Sequence, residues 1–292
     1  MMRFKCAVLI VAMLVVGGCG GHRTDPPAPV PVPIATGMAS LHYPLDGYRL
    51  SARQQSEEDY LYLRLERECM RRLGFDFLSD LTSQIDKRVA TKDEIASRRY
   101  GITDLSVART AGYGLSAAAA GSHEPQSRDD LPPAERAVLI GTAKNGPIGG
   151  CAGEASRQLD LDHKTPANAR TVNDMTAEAF KRTQSDPRVQ AVFATWSHCM
   201  SAMGFTYANP IVAAGDPRWH KESASPGELE LATAKADIMC KVNTNLIGVE
   251  YAAEADWQNV EISQNAGALE KISRSVAARG AELAKLMHQM PA

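Results

Sequence analysis

The sequence predicts a mainly α fold, made of duplicated, disulfide-stapled helical units and a long C-terminal amphipathic helix. Three observations support this prediction. The two-residue alternation typical of β-strands is nearly absent, helix start and stop signals recur along the chain, and one nine-residue motif occurs twice. The two copies begin at Cys69 and Cys199 and share cysteine, methionine, glycine and aromatic positions at an offset of 130 residues.

The first element along the chain is a short apolar segment. Arg3 and Lys5 precede an apolar run over 7–16, which is shorter than the roughly 20 residues of a membrane-spanning helix. The run ends in a Val-Gly-Gly-Cys sequence that resembles the lipobox of bacterial lipoproteins. We therefore expect a lipoprotein signal peptide over 1–18 and a lipid anchor on Cys19, at the extracytoplasmic face of the cell membrane. The alternative is an ordinary secretory signal in which Cys19 has no role.

A Pro- and Gly-rich segment over 19–40 follows the lipobox. Proline-rich chain adopts an extended conformation, so this segment is expected to be a tether between the lipid and a folded body. The repeat then divides the body into a first helical unit over 41–170 and a second over 171–292, which contains the long C-terminal helix.

The charge of the mature chain argues against binding to nucleic acid. Residues 1–18 hold two basic and no acidic side chains, which leaves 30 basic and 34 acidic residues in the rest of the chain. Clusters of Lys and Arg with interleaved aromatic residues, which mark nucleic-acid surfaces, are not present in the sequence.

Cysteine usage predicts two disulfides. Four cysteines lie beyond the signal peptide and the lipid site: Cys69, Cys151, Cys199 and Cys240. An even number of cysteines in an oxidising compartment indicates disulfides, and three pairings are possible. Because each motif cysteine is followed along the chain by one further cysteine, we favour Cys69 with Cys151 and Cys199 with Cys240. A zinc site is disfavoured because none of these four cysteines belongs to a C-x-x-C or C-x-x-H spacing.

The repeat is predicted to be the C-terminal half of a helix. Ser56 followed by three acidic residues, and Asp186 followed by proline, are helix starts that also lie 130 residues apart. Gly74 and Gly204 supply the residue that ends each helix. We therefore expect two helices of equal length that arose by duplication; convergent helix endings are the alternative.

Shorter helices are predicted between the repeats, over 91–101, 104–112, from 131 onward and over 151–159. After the second repeat, Ser225 with Glu228 is a capping box that opens the helix carrying Cys240.

The last predicted element is the long amphipathic helix. Positions at alternating spacings of three and four are apolar there, apart from Asn265 and Arg279, which interrupt the series: Ile262, Leu269, Ile272, Val276, Leu283, Leu286 and Met290. The pattern predicts one helix over 249–288, which is either separate from the preceding helix or continuous with it through Gly248. Its apolar stripe is expected to pack within the chain or, alternatively, to form a coiled coil with a second copy or a partner protein.

Several motifs resemble a family of uncharacterised lipoproteins from high-GC Gram-positive (actinobacterial) bacteria. They are Cys-Met-x-x-x-Gly-Phe at Cys69 and Cys199, the segments 99–104 and 111–113, and the segment 236–241. The resemblance spans most of the mature chain, and its motifs are structural. It implies no catalytic activity, and it implies a role as an envelope accessory beside transporters and peptidoglycan-binding proteins.

Residues that could carry chemistry are few. The chain lacks the G-x-S-x-G, S-x-x-K and H-E-x-x-H motifs, a calcium loop and a phosphate-binding glycine loop. His198 is expected at the surface or packed in the structure and not in a catalytic pair, because its neighbour Cys199 is tied in a disulfide and is not a nucleophile. Trp219 and His220 are expected in a packed loop, with a pocket wall as the alternative.

Pairs of acidic residues are candidates for glycoside hydrolysis, which requires two carboxyl groups. Glu66 and Glu68 are two residues apart on a helix and therefore point to different faces. Glu250 and Glu254 share a helix face, and we expect them to be an exposed pair of like charges. The sequence thus predicts no catalytic residue, no metal site and no cofactor.

These observations favour a non-catalytic binding or accessory protein of the cell envelope, with an envelope protein or a cell-wall component as its partner and the C-terminal helix as its contact surface. One alternative is a cell-wall hydrolase or esterase whose site is assembled only in three dimensions. Another is a small-molecule carrier for a transporter.

Overall fold

The computed structural model describes residues 28–77, 92–116, 131–142, 148–160, 171–219 and 225–289. These residues are mainly helical and contain no β-strand, as the sequence predicts. No helix among them is long and apolar enough to cross a membrane. The predicted signal peptide, Cys19 and the first part of the predicted tether lie outside the described residues.

The described residues of the predicted first unit, 41–170, include the helices α1 (Ala52–Arg72), α2 (Leu105–Ala111), α3 (Pro133–Ile140) and α4 (Gly150–Gln158). Residues 92–97 are also helical, and a 3₁₀ helix, Pro44–Tyr48, precedes α1. The sequence predictions for α2, α3 and α4 are confirmed. Asp104 caps α2 by accepting hydrogen bonds from backbone N–H groups of its first turn, and Gly112 and Gly141 end α2 and α3 with φ of +58° and +85°.

The described residues of the predicted second unit, 171–292, contain six α-helices: α5 (Val172–Thr183), α6 (Pro187–Ala202), α7 (Pro210–Ala214), α8 (Glu228–Thr244), α9 (Leu246–Gln264) and α10 (Ala266–Gln289). A 3₁₀ helix, Pro217–Trp219, lies between α7 and α8. α9 lies at the centre, where it packs against α5, α6 and α8. The largest core surrounds the fully buried Trp196 of α6, and Ala35 and Tyr100 from earlier in the chain contribute to it.

Two disulfides join the helices in pairs. Cys69 of α1 is bonded to Cys151 of α4, with Cα atoms 5.5 Å apart. Cys199 of α6 is bonded to Cys240 of α8, with Cα atoms 5.7 Å apart. This is the pairing that the order of the cysteines favours, and both disulfides lie in apolar cores.

The two motif copies end their helices in the same way. Gly74 and Gly204 have φ of +88° and +89°. The N–H of Phe75 donates to the carbonyl of Met70 at 3.0 Å, and the N–H of Phe205 donates to the carbonyl of Met200 at 2.9 Å. A hydrogen bond from a backbone N–H to the carbonyl five residues earlier is characteristic of a Schellman motif. The repeat is therefore a shared helix ending that places a cysteine in the last turn.

The starts of these two helices do not match, which corrects the prediction of equal lengths. α1 begins at Ala52 and has 21 residues, whereas α6 begins at Pro187 and has 16. Ser51 caps α1 in a reciprocal capping box with Gln54, so the helix starts before Ser56. The Ser56 hydroxyl instead donates to the Ala52 carbonyl one turn earlier, at 2.9 Å.

The predicted helix over 249–288 is divided, and it is separate from α8. Asn265, with φ of −119°, lies between α9 and α10, and Asn245, with φ of +52°, separates α8 from α9. The start of α8 also differs from the prediction, because Gly227 and not Ser225 is its N-cap. A long C-terminal helix is present, but it is the 24-residue α10.

The apolar stripe of α10 packs within the chain. Leu283 lies in a core with Leu61 of α1 and Leu159, and Leu269 lies in a core with Leu45 and Met175. Leu283 and Leu269 are both almost completely buried. The expectation that this stripe is the contact surface for a partner is therefore wrong for the described part of α10, because other helices of the same chain already cover it.

The C-terminal part of the predicted tether is attached to the body. The N–H of Val30 donates to the Asp256 carboxylate at 2.6 Å, and the N–H of Ala35 donates to the Asn245 side-chain oxygen at 3.0 Å. The Asn245 amide in turn donates to the carbonyl of Pro33 at 2.8 Å. Residues 30–35 are thereby held against α8 and α9.

Candidate functional site

A row of polar side chains on α9 points into the protein. The row consists of Glu250, Glu254, Gln258 and Glu261, which are all at most 3% exposed. The prediction that Glu250 and Glu254 form an exposed like-charge pair is wrong. α9 is enclosed by other helices, and partners from distant parts of the chain reach this face.

Glu254 is the most heavily bonded member of this row. The Arg99 guanidinium donates to both carboxylate oxygens, with Nε at 2.8 Å from Oε2. The Tyr100 hydroxyl donates to Oε2 at 2.8 Å, and the Gln258 amide donates to Oε1 at 2.9 Å. A buried carboxylate is tolerated only when it is paired and hydrogen-bonded in this way.

Arg99 lies between two aromatic rings as well as beside Glu254. Its guanidinium carbon is 5.0 Å from the ring centre of Tyr43 and 5.3 Å from that of Phe180. The Tyr43 hydroxyl donates to the Tyr100 hydroxyl at 2.6 Å. Burial, together with the nearby Glu254, raises the pKa of Tyr100, so this phenol stays protonated and serves as a donor. The contacts fix Arg99 in one orientation.

A second buried ion pair lies on α8. Lys241 donates to the Asp237 carboxylate at 2.9 Å and to the Ile102 carbonyl at 3.1 Å, and the Trp196 indole donates to the other Asp237 oxygen at 3.0 Å. Burial raises the pKa of Asp237, and Lys241 opposes that shift. Gly101 lies beside this pair with φ of +83°, a conformation that residues with a side chain rarely adopt, and a Cβ at that position would lie 2.7 Å from the Lys241 ammonium nitrogen.

Glu250 differs from Glu254 and Asp237 because no basic side chain bonds to it in the part of the chain that the structure describes. Its carboxyl oxygen is 3.5 Å from the Gln184 amide nitrogen. The Gln184 side-chain oxygen is buried and has no hydrogen-bond partner among the described residues. Burial raises the pKa of Glu250 to about 8, against the opposing effect of Lys241. The side chain is therefore mostly an uncharged acid at neutral pH.

Glu250 and Gln184 line a cavity of about 220 Å³. The other lining residues are aromatic, aliphatic and basic: Arg98, Arg99, Tyr100, Gly101, Phe180, Phe193, Pro210, Ile211 and Ala214. We call this the Glu250 cavity. Its polar wall consists of a carboxyl group and an amide that lack strong partners within the described chain.

A second opening, of about 380 Å³, shares Arg99 and Phe180 with the Glu250 cavity. We call it the Arg49 cleft, and its remaining lining residues are Arg49, Asn173, Thr176 and Ala177. The Arg49 guanidinium donates to the Val172 carbonyl at 3.1 Å and to the Thr176 hydroxyl, and its Nε is buried without a partner among the described residues. Burial and the charge of Arg99 lower the pKa of Arg49. In the described structure no carboxylate forms an ion pair with Arg49.

A larger groove, of about 610 Å³, lies where α1, α4 and α10 meet. Its basic residue Arg279 is bonded to the Glu58 carboxylate with Nε at 2.7 Å and to the Leu159 carbonyl at 2.7 Å. Because these contacts satisfy the charge of Arg279 within the chain, this groove offers less to a charged ligand than the two openings beside Arg99.

The structure brings none of the other sequence candidates into a common site. His198 is exposed, Trp219 stacks on Tyr113 with ring centres 6.0 Å apart, and His220 lies outside the described residues. In the described ranges no three His, Cys, Asp or Glu side chains are placed to hold a metal ion. Arg49 and Phe180 line the cleft beside Arg99, and the sequence did not single out either residue.

The chain matches no protein-family model, and no curated protein and no solved structure matches it either. The resemblance to actinobacterial lipoproteins therefore stays a prediction.

Proposed function

We propose that this protein is a lipid-anchored lipoprotein on the extracytoplasmic face of the cell membrane, and that it binds an anionic component of the cell envelope without catalysing a reaction. The observation that carries this proposal is Arg49, a partly buried cation that forms no ion pair with a carboxylate in the described structure. The lipobox-like sequence before Cys19 supports the location.

The chemistry of the Arg49 cleft suits a carboxylate or a phosphate. A guanidinium group is a planar fork of N–H donors that pairs with both oxygens of such an anion. Asn173 and Thr176 line the same opening and add polar groups, and Phe180 adds an apolar face. Burial and Arg99 disfavour the charge on Arg49, whereas Asp46 and Glu254 favour it, and an anion that enters the cleft relieves the two unfavourable effects.

The groups in the cleft support binding over catalysis. Thr176 is the hydroxyl that lines the cleft, and it donates to the Val172 carbonyl at 2.7 Å while it accepts from Arg49. A hydroxyl becomes a nucleophile when a base removes its proton, and among the described lining residues no histidine or carboxylate is present to do so. A volume of about 380 Å³ is in the usual range for a small-molecule site.

Anchoring through Cys19 is tested by its removal. The Cys19→Ala variant is expected to leave the membrane fraction, because several acyl chains, at about 0.8 kcal/mol per buried CH₂, no longer hold it. Cell fractionation with immunoblotting measures this change. Cys6→Ala is the matched control and should stay in the membrane fraction, since Cys6 lies within the predicted signal peptide. Membrane association of Cys19→Ala equal to that of the control would contradict the proposal.

Binding in the Arg49 cleft is tested with N-acetylmuramic acid, a wall sugar that carries a carboxylate. Isothermal titration of the purified full chain is expected to show binding, and N-acetylglucosamine, which lacks the carboxylate, should bind at least tenfold more weakly. Arg49→Gln should weaken binding of N-acetylmuramic acid about tenfold or more, because a hydrogen bond to a charged group contributes about 1.5–3 kcal/mol.

The control for this experiment is Arg53→Gln, which removes an arginine with a side chain that is 87% exposed. It should bind N-acetylmuramic acid as the unchanged protein does. Equal binding of the two sugars, or equal affinity in Arg49→Gln and Arg53→Gln, would show that the cleft is not the anion site.

A further inference from the structure

We propose that the Glu250 cavity is a second binding site, which takes a small ammonium group and works independently of the Arg49 cleft. The proposal rests on Glu250 and Gln184, neither of which the proposed function uses.

The charges around the cavity single out Glu250. Each basic side chain near it already has a carboxylate partner: Arg98 with Glu94, Arg99 with Glu254, and Lys241 with Asp237. Glu250 is the acid left over in this set, and it is 3% exposed. A buried acid with no cationic partner is costly to ionise, and a ligand of opposite charge removes that cost.

The hydrogen-bonding groups of the cavity also favour a donor ligand. An ionised Glu250 presents acceptors, and the Gln184 oxygen is a buried acceptor without a partner among the described residues. An ammonium group has three N–H donors and no acceptor, so it complements both. Tyr100, Phe180 and Phe193 supply aromatic walls, and aromatic rings attract cations. A volume of about 220 Å³ limits the ligand to a small molecule or to the end of an aminoalkyl chain.

Binding of a cation in this cavity is coupled to loss of a proton. Burial is the main cause of the raised pKa of Glu250, about 8; Lys241 and the hydrogen bond from Gln184 oppose it, and Glu254 and Asp237 add to it. At pH 6 the empty site therefore holds a proton, which an incoming ammonium group must displace. An alkylammonium like that of lysine keeps its charge to a pH of about 10, so only Glu250 changes its state between pH 6 and 8. Affinity should rise about tenfold for each pH unit below the pKa and level off above it.

The test is isothermal titration of the purified full chain with ethylammonium chloride at pH 6, 7, 8 and 9. We expect affinity to rise by about two orders of magnitude from pH 6 to pH 8. Titrations in buffers with different ionisation enthalpies should show release of nearly one proton at pH 6 and almost none at pH 9. Sodium chloride at the same concentration should give no binding. Absence of ethylammonium binding, or an affinity that does not change with pH, would overturn the proposal.

Two variants separate this site from the rest of the protein. Glu250→Gln keeps the shape of the side chain and should abolish ethylammonium binding, whereas Glu261→Gln, at a buried acid on the same helix that does not line the cavity, should retain it. Arg49→Gln should bind ethylammonium normally, and Glu250→Gln should bind N-acetylmuramic acid normally. The two proposals can therefore be refuted independently of each other. Binding of ethylammonium by Glu250→Gln would refute the assignment.

Discussion

Replacement of both Cys199 and Cys240 by alanine is expected to lower the free energy of unfolding by about 4 kcal/mol. The disulfide closes a loop with a sequence separation of 41 residues, and cross-links of this size restrict the unfolded chain by about that amount. It also joins α6 to α8, which hold Trp196 and the Lys241–Asp237 pair. Urea unfolding followed by circular dichroism measures the loss.

The control for this variant is Met239→Ala, next to Cys240 in the sequence. Met239 is about half exposed, so its truncation should change stability by less than about 0.5 kcal/mol. The Cys69–Cys151 double variant should lose slightly more than the Cys199–Cys240 variant, because its disulfide closes a longer loop, with a sequence separation of 82 residues against 41. An unfolding midpoint that does not move in either double variant, or on addition of a reductant to the unchanged protein, would show that the disulfides do not stabilise this fold.

Removal of the Glu254 carboxylate is expected to be comparably severe. Glu254→Ala leaves the Arg99 guanidinium without its ion-pair partner and the Tyr100 hydroxyl without its acceptor. Loss of one partner from a buried ion pair costs about 3–5 kcal/mol. Chemical unfolding of the variant measures this cost.

A matched exposed acid is Glu270 on α10, which lies 3.9 Å from Arg274 with both side chains more than 70% exposed. Glu270→Ala should lose less than about 1 kcal/mol, since exposed ion pairs contribute little. The double variant Arg99→Met with Glu254→Leu should regain much of the stability lost by Glu254→Ala, because it leaves no buried charge unpaired. If Glu254→Ala and Glu270→Ala lost the same small amount, the buried network would not be a structural element of this protein.

The parts of the fold that local sequence determines were predictable. Glycine is the residue that most readily adopts the positive φ with which many helices end. Gly74 and Gly204 therefore predicted the ends of α1 and α6 from the sequence. The repeat of that ending placed a cysteine in each last turn, and the order of the remaining cysteines then indicated the two disulfides. Asp104 likewise predicted the start of α2, because aspartate is a common N-cap residue.

The candidate site was not predictable from local sequence, because its members are far apart in the chain. Glu254 meets Arg99 across 155 residues, and no helix pattern identifies such a partner. One signal was present. Ala252, Ala253 and Ala255 surround Glu254, and all three are buried. Small residues on every side of a helix indicate that it is enclosed, which argues against an exposed acidic pair.

The helix breaks at Asn245 and Asn265 also depend on contacts that the sequence does not show. Asn245 adopts its left-handed conformation while its side chain bonds to Pro33 and Ala35, more than 200 residues earlier. The apolar spacing continues past Asn265, so the pattern alone predicts one long helix where the structure has α9 and α10.

The most direct test of the central claim, an anion site at Arg49, is the NMR spectrum of the arginine side chains. In the ¹⁵N-arginine-labelled full chain, the Nε–H signal of Arg49 is identified by its loss from Arg49→Gln. This signal should shift on titration with N-acetylmuramic acid and should not move with N-acetylglucosamine, because the buried Nε of Arg49 has no partner within the described chain. An Arg49 signal that stays in place while N-acetylmuramic acid shifts other arginine signals, or shifts none, would contradict the account.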